Sequence, residues 1–173
     1  NDDIVHVNGR IDPLGDIETI ETELMLADLE SIDKQIKNLE KKARGLDKEA
    51  IKLLADANEI KKNLENSVPA RHMDIDSKPF NLLTSKPVIY VCNVDEASAA
   101  TGNKYSDMVC EKFSSVADVL IISSKIEMEI SQIVDPDERK MFLDDLGLSE
   151  SGLDQVIKTG YKTLGLQTYY TIG

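Results

Sequence analysis

Polar side chains that could recognise a ligand follow an apolar run near the middle of the chain. Asn93, Asp95 and Glu96 come directly after residues 88–92, a run rich in β-branched and aromatic residues that is typical of a strand covered on both faces. In open α/β sheets, ligands bind beyond the carboxyl ends of the strands, so this amide and these carboxylates are candidates for reading a ligand. A buried strand that ends in an Asx-type turn is the alternative interpretation.

A second polar loop follows a second apolar run, because residues 119–122 lead directly into Ser123, Ser124 and Lys125. Between the two runs, residues 105–116 place apolar side chains largely on one helical face, which predicts a β-α-β unit. A right-handed crossover makes the two strands parallel and brings both loops to the same edge of the sheet. The two loops could therefore share one ligand. The alternative for the second loop is a helix cap before Ile126.

Residues 16–66 carry the pattern of two long helices rather than that of a sheet. Asp16 and Asp47 are candidate helix caps, and Gly45 is the predicted end of the first helix. In each helix the apolar positions alternate spacings of four and three, which predicts an antiparallel coiled-coil hairpin. The predicted seam consists of Met25, Leu29, Ile32, Ile36, Leu39 and Ala43 in the first helix, and of Leu46, Ala50, Leu53, Ala57, Ile60 and Leu64 in the second.

The length of the first helix predicts an arm. At 1.5 Å per residue this helix would be roughly 40 Å long, too long to pack on a small sheet along its whole length. Near its start, residues 24–29 are almost continuously apolar, which predicts burial on more than one side where the arm joins the body.

Charge is divided along the predicted hairpin. Residues 16–33 hold seven acidic and no basic side chains, whereas residues 34–52 hold seven basic and three acidic ones. The tip is therefore cationic. A solvated coiled-coil surface, with charges matched to the helix dipoles, is one explanation. Contact with a polyanionic partner is the other, and its candidate residues are Lys37, Lys41, Lys42 and Arg44.

Length and composition limit the function classes. The chain has 173 residues, 41% of them apolar, which is enough to bury one sizeable core. Its formal net charge of −12 opposes nucleic-acid binding over the whole surface but is compatible with a local basic patch. No apolar run approaches the roughly 20 residues of a membrane span, so we expect a cytoplasmic protein without a membrane partner. Cys92 and Cys110 are expected to stay reduced, and neither they nor His6 and His72 show metal-site spacing.

The remaining segments predict short elements. Residues 4–7 are a candidate strand, and residues 67–79, with two prolines and no helical period, are a candidate linker. Helical segments broken at Pro136 and Gly147 precede a last helix over residues 153–164. Residues 167–172 are a candidate final strand.

Four stretches together closely resemble one protein family, and the similarity spans nearly the whole chain in order. They are HVNGRIDPLGDIETIETELMLADLE, KPVIYVCNVDE, SSKIEMEI and GYKTLGLQTYYTIG. The family is the Obg-like ATPases, the YchF subfamily of translation-factor-class P-loop GTPases. The resemblance implies an α/β fold: a partial Ras-like P-loop domain with a parallel sheet, interrupted by an antiparallel coiled-coil helical hairpin. It also implies ATP hydrolysis with Mg²⁺ and association with ribosomes.

The resemblance divides the chain into five predicted segments. They are a G-domain segment at residues 1–15, the coiled-coil hairpin at 16–66, a linker at 67–79, the rest of the G domain with the base-reading loops at 80–163, and the start of a TGS domain at 164–173. The sequence holds no GxxxxGK[ST] phosphate-binding loop, and the region between residues 65 and 81 is shorter than the family usually has. We therefore expect a fragment of a longer protein that begins after the second switch. Such a fragment lacks catalytic residues and Mg²⁺ ligands and is inactive by itself.

The family resemblance suggests how the two loops read a base. Ordinary GTPases use the aspartate of an NKxD motif to accept hydrogen bonds from guanine, and here Asn93, Val94 and Glu96 stand at the matching positions. Because the lysine is absent and the carboxylate is longer, we expect ATP to be preferred over GTP. The Asn93 side chain can pair with N7 and the 6-amino group of adenine. Ser123, Ser124 and Lys125 correspond to the family's SAK-type loop, with Lys125 flanking the ring.

The leading hypothesis is therefore the purine-reading and coiled-coil part of a monomeric, ribosome-associated ATPase whose cationic tip contacts ribosomal RNA. The alternative is a non-enzymatic interaction module, in which the hairpin docks on protein or RNA and the rest of the chain is a scaffold. A P-loop upstream of residue 1 would favour the enzyme.

Overall fold

The computed structural model describes residues 11–167, which divide into a helical unit and a unit that contains a β-sheet. The helical unit is Gly15–Pro87, and the sheet unit comprises residues 88–167 together with residues 11–14. The predicted strand at residues 4–7 and nearly all of the one at 167–172 lie outside the described residues. In the described part, no helix is long and apolar enough to cross a membrane.

Two long helices dominate the helical unit, and a connection of only four residues joins them. The first, α1, is Pro13–Ala43, and the second, α2, is Lys48–Glu65. Lys61 Nζ of α2 lies 2.6 Å from Asp33 Oδ1 of α1. Since both residues stand about three turns from the connection, the helices run antiparallel and form the predicted hairpin.

The ends of these helices follow the sequence signals in part. Asp47 caps α2 as predicted, with its carboxylate accepting backbone hydrogen bonds at the start of that helix. The prediction that Asp16 caps α1 is wrong, because α1 starts three residues earlier, at Pro13. Proline suits the first helical turn, since its φ is preset and its missing N–H would have no partner there. In the connection, Leu46 rather than Gly45 adopts the left-handed conformation, with φ 61°.

Most of the predicted seam forms the core of the helical unit. Leu46 is an exception, since it lies in the connection and is 82% exposed. Leu26 is 56% exposed and Ala27 is also exposed, so residues 24–29 are buried on one face and not on several. The buried core comprises Met25, Ile32, Ile36, Ala57, Ile60, Leu64, Ala70, Phe80 and Leu82.

The predicted linker at residues 67–79 is part of this core. It contains the single-turn 3₁₀ helix Ala70–His72, and a second one, Lys78–Phe80, follows. Ala70 and Phe80 are 2% and 3% exposed, because they pack with the apolar faces of the two helices. Residues 80–87 also belong to the helical unit, whereas the predicted boundary placed them with the G domain.

A buried carboxylate of α1 holds residues 66–87, which follow α2 and which we call the returning segment. Asp28 of α1 is 2% exposed. One carboxylate oxygen accepts from the N–H of Leu83 at 2.7 Å, and the other accepts from the N–H and hydroxyl of Thr84 at 2.8 Å and 2.7 Å. The Thr84 hydroxyl in turn accepts from the N–H of Ala70 at 3.0 Å. Burial of the charge is therefore compensated by three donors.

The sheet unit contains the predicted β-α-β motif. Strand β1, Ile89–Asn93, pairs in parallel with β2, Asp118–Ile122, and α3, Lys104–Phe113, joins them. The expectation that β1 is covered on both faces is wrong for Val91, which is 46% exposed, since the sheet has two strands in residues 11–167. The helices that follow are α4, Ser124–Gln132, α5, Pro136–Asp145, and α6, Gly152–Thr163.

The predicted helix breaks are confirmed. Pro136 is the first residue of α5, and Gly147, with φ 70°, follows its end. A buried apolar cluster of the sheet unit consists of Ala99, Ile126, Ile130 and Leu143.

Candidate functional site

The parallel pairing of the two strands places their following loops side by side. Asn93, the last residue of β1, lies opposite Ile122, the last residue of β2. The pairing continues one residue further, since the N–H of Val94 donates to the carbonyl of Ile122 at 2.8 Å. Both predicted polar loops therefore leave the carboxyl edge of the sheet together, as the β-α-β pattern required.

Two direct contacts join these loops. Asn93 Oδ1 accepts hydrogen bonds from the N–H of Ser124 at 3.0 Å and from its hydroxyl at 2.9 Å. Lys125 Nζ lies 2.6 Å from Glu96 Oε2, in an ion pair whose side chains are 61% and 43% exposed. The structure thus brings four of the predicted site residues together at an accessible edge.

The other two predicted site residues turn inward. Val94 is 4% exposed and Ser123 is 3% exposed, so their side chains lie in the protein interior. Ser123 precedes α4, but its side chain makes no capping hydrogen bond, and its buried hydroxyl has no partner in the described part of the chain. The cap proposed as an alternative for the second loop is therefore not made by this side chain.

Asp95 has a structural role in the first loop. Its Oδ1 accepts from the N–H of Ser98 at 2.9 Å at the start of the 3₁₀ turn Glu96–Ser98. Hydrogen bonding to Ser98 lowers the pKa of the Asp95 carboxyl below its ordinary value. Asp95 thus caps the 3₁₀ turn through the N–H three residues on, whereas the Asx-type turn considered from the sequence would bond two residues on. Asn93 and Glu96 contact the second loop.

The second loop is supported from behind by helix α6, a feature that sequence reasoning missed. The Glu127 carboxylate of α4 accepts from the N–H groups of Gly152 at 2.6 Å and Leu153 at 3.0 Å, at the start of α6. Glycine is required at position 152, because a Cβ there would lie 2.7 Å from the Ile122 side chain. The signal in the sequence was weak. A Ser-Gly pair before a helix predicts a helix cap, but it does not predict that the carboxylate of Glu127 bonds to that helix start.

The hydrogen bonds at Asn93 decide what its amide can offer. Ser124 occupies both lone pairs of the Asn93 carbonyl oxygen, so the amide NH₂ remains as the group that can donate to a ligand. An NH₂ donor suits N7, an acceptor that adenine and guanine share. This corrects the expectation that Asn93 also accepts from the adenine 6-amino group. The Asn93 donor by itself would therefore not distinguish the two purines.

The two cysteines lie outside the loops. Cys92 and Cys110 are free thiols, and burial raises the pKa of the Cys92 thiol, which makes it a poor nucleophile. Within residues 11–167, no three His, Cys, Asp or Glu side chains are grouped so that they could hold a metal ion.

The second set of predicted contact residues lies at the tip of the hairpin. Lys37, Lys41 and Lys42 are on the last turns of α1 and Arg44 follows it, and all four are exposed. None of these four side chains is part of the buried core of the helical unit.

Comparison with known proteins is consistent across sequence and structure. The chain is 41% identical to the ribosome-binding ATPase YchF of Bacillus subtilis (strain 168) over 100% of its length and 50% of that protein. It is 45% identical to the protein of the same name from Haemophilus influenzae, again over 100% of its length and 49% of that protein. The solved structure of the Schizosaccharomyces pombe YchF GTPase matches with a TM-score of 0.83 and 28% identity, over 100% of this chain and 50% of that one.

No protein-family profile matches the chain. The chain spans about half the length of the curated relatives it matches.

Proposed function

This chain belongs to the YchF family of Obg-like ATPases and holds part of its α/β P-loop domain, and from that premise we propose that it is the purine-reading part of a ribosome-binding ATPase. The observation that supports the proposal is the direct bonding of the two loops through Asn93 and Ser124. This bonding fixes the orientation of the Asn93 amide before a ligand arrives. A preset donor loses little freedom when it binds a base.

The proposed role of this chain is to bind and orient the base. P-loop enzymes use Mg²⁺ to neutralise charge on the transferred phosphate, and residues 11–167 hold no group of three His, Cys, Asp or Glu side chains that could bind a metal ion. We assign the hydrolytic step to the phosphate-binding half of the intact, monomeric enzyme, and we expect this chain by itself to be inactive, since its sequence holds no GxxxxGK[ST] loop.

The preference for ATP over GTP is proposed to arise at Glu96. Guanine presents two donors that a carboxylate at this position would accept, and adenine presents neither. The Glu96 carboxylate is paired with Lys125, which competes with guanine for its oxygens. Lys125 thus lowers the advantage that GTP would gain, while the Asn93 donor serves both purines.

The proposed partner is the ribosome, reached through the hairpin tip. The curated relatives are named ribosome-binding, and ribosomes are polyanions of the cytoplasm. The four exposed cations Lys37, Lys41, Lys42 and Arg44 are suited to phosphate groups, because each contact releases counterions from the RNA.

Replacing Asn93 by aspartate in the full-length protein tests the base site. Asn93→Asp keeps acceptors for both Ser124 hydrogen bonds but removes the NH₂ donor and adds a negative charge. We expect ATP and GTP to lose at least about tenfold in affinity, by similar factors, since both present N7. Titration with fluorescent nucleotide analogues measures this. Asn58→Asp, at an exposed position of α2, is the control and should bind both nucleotides as the wild type does. Wild-type affinities for Asn93→Asp would remove these loops from the base site.

A further inference from the structure

The connection between α1 and α2 places a strained apolar residue at the tip of the hairpin. Leu46 has φ 61°, in the left-handed region that side chains with a Cβ disfavour, and it is 82% exposed. In the described part of the chain, the other non-glycine residues with positive φ are Ser67 and Asn81, and both are small and polar. Leucine is thus unusual here in both its conformation and its exposure.

The fold does not require leucine at this position. Gly45, beside it, is favoured for a different reason, because a Cβ there would lie 3.1 Å from the Lys42 carbonyl oxygen, which is a tight contact. Glycine or asparagine at position 46 would satisfy the turn with less strain. Leu46 has a backbone conformation that is unfavourable for leucine, and its side chain is not buried in the helical unit. A contact outside the chain therefore explains this residue better than a role in the fold.

The surroundings of Leu46 indicate the chemistry of that contact. Lys41, Lys42 and Arg44 precede it and Lys48 follows it, and all four are exposed. Three cations before this apolar side chain and one after it, with the intervening Asp47 engaged in capping α2, complement a surface that presents phosphates around an accessible base. We propose that Leu46 is the apolar contact of the hairpin tip with an unstacked base of ribosomal RNA, held in place by phosphates bound to the neighbouring cations. This inference rests on the proposed ribosome-binding function and names the contact within it.

Salt dependence separates the contact of Leu46 from that of the cations. In the full-length protein, Leu46→Ser should weaken ribosome binding about tenfold and leave the slope of log affinity against log salt unchanged, because that slope counts neutralised phosphates. Leu26→Ser is the matched control, since Leu26 is 56% exposed on α1 and lies about 25 Å along the helix from its end at Ala43, and it should bind as the wild type does.

Leu46→Gly tests whether strain is retained for binding. Relief of the left-handed conformation should raise the Tm by a few degrees, while loss of the side chain should weaken ribosome binding as Leu46→Ser does. A Tm that falls in Leu46→Gly would show that leucine serves the fold, and the inference would be wrong.

A diazirine amino acid at position 46 identifies the partner. Cross-links to ribosomal RNA on the intact ribosome support the proposal, and cross-links to a ribosomal protein overturn it.

Wild-type binding by Leu46→Ser would also overturn it. If reversal of the tip cations still weakens binding in that case, the proposed ribosome contact of the tip stands without Leu46. If neither change has an effect, the ribosome contact of the tip fails as well.

Discussion

The helical unit and the sheet unit position their candidate contact residues by opposite means. In the helical unit, the contact residues are exposed cations, and the hydrogen bonds that organise the unit are buried around Asp28. In the sheet unit, the candidate residues bond to one another, Asn93 to Ser124 and Glu96 to Lys125. The surface of the hairpin can therefore change without change in its core. Any substitution in the loops also alters the loop itself.

Removal of the buried carboxylate should have the largest effect. Asp28→Ala leaves the buried N–H and hydroxyl of Thr84, and the partly buried N–H of Leu83, without their acceptor. Each unsatisfied buried group costs about 1 to 3 kcal/mol, so the free energy of unfolding should fall by about 3 kcal/mol or more. Denaturant unfolding followed by circular dichroism measures this.

Asp33→Ala is the control for that experiment. Asp33 is also acidic and on α1, but its side chain is 46% exposed and pairs with Lys61 at the surface. It should lose far less stability than Asp28→Ala, because solvent screens and replaces an exposed pair. Equal losses in the two variants would show that the buried network does not hold the returning segment.

Reversal of the tip charges should have the next largest effect, and on binding alone. Replacing Lys37, Lys41, Lys42 and Arg44 by glutamate should weaken ribosome binding on the order of 100-fold at about 0.1 M salt and flatten its salt dependence. Helicity should remain, since all four side chains are exposed. Sedimentation with ribosomes over a salt series and circular dichroism provide the two measurements.

The matched charge reversal uses Glu18 and Glu23, which are exposed near the start of α1. Glu21 is unsuitable, because its carboxylate is half-buried and bonded to Arg71 of the returning segment. Glu18→Lys with Glu23→Lys should not weaken binding. A tip variant with full helicity and the wild-type affinity and salt slope would leave the basic tip as a solvated surface.

Loss of the ion pair between the loops should have the smallest effect. Lys125→Ala frees the Glu96 carboxylate to accept from guanine, so the ratio of ATP to GTP affinity should fall by up to about fivefold, the scale of one exposed ion pair. Nucleotide titration of the full-length protein measures the ratio. Lys158→Ala, which removes another exposed pair with Glu150, should leave it unchanged. An unchanged ratio in Lys125→Ala would mean that Glu96 does not face the base.

The structure also changes which loop substitutions are informative. A lysine at position 94 would restore the usual GTPase motif, but the Val94 side chain is 4% exposed and a lysine there would be buried without a partner. Its effect would report on the fold rather than on the base. Glu96 and Lys125, whose side chains are exposed, are the positions at which the proposed preference between purines can be tested.

The sequence by itself determined the elements whose causes are local. Apolar spacing predicted both helices of the hairpin and the two parallel strands, and the residue type of Asp47 predicted its cap. The residues alone predicted a ligand site at the strand ends. Only the family resemblance suggested that the ligand is a purine, and that assignment remains a proposal.

Tertiary structure decided the features that depend on distant partners. Asp28 bonds to residues 55 and 56 positions away, and Asn93 bonds to Ser124, 31 positions away. An acidic residue at helical spacing between Met25 and Ile32 was a signal that position 28 faces the core, but its donors could not be identified from spacing. Likewise, the polar character of Asn93 indicated a ligand contact, whereas the use of its carbonyl oxygen by Ser124 became visible only when the strands had brought the loops together. Hydrogen-bond partners follow from the path of the chain, and the local sequence does not contain that path.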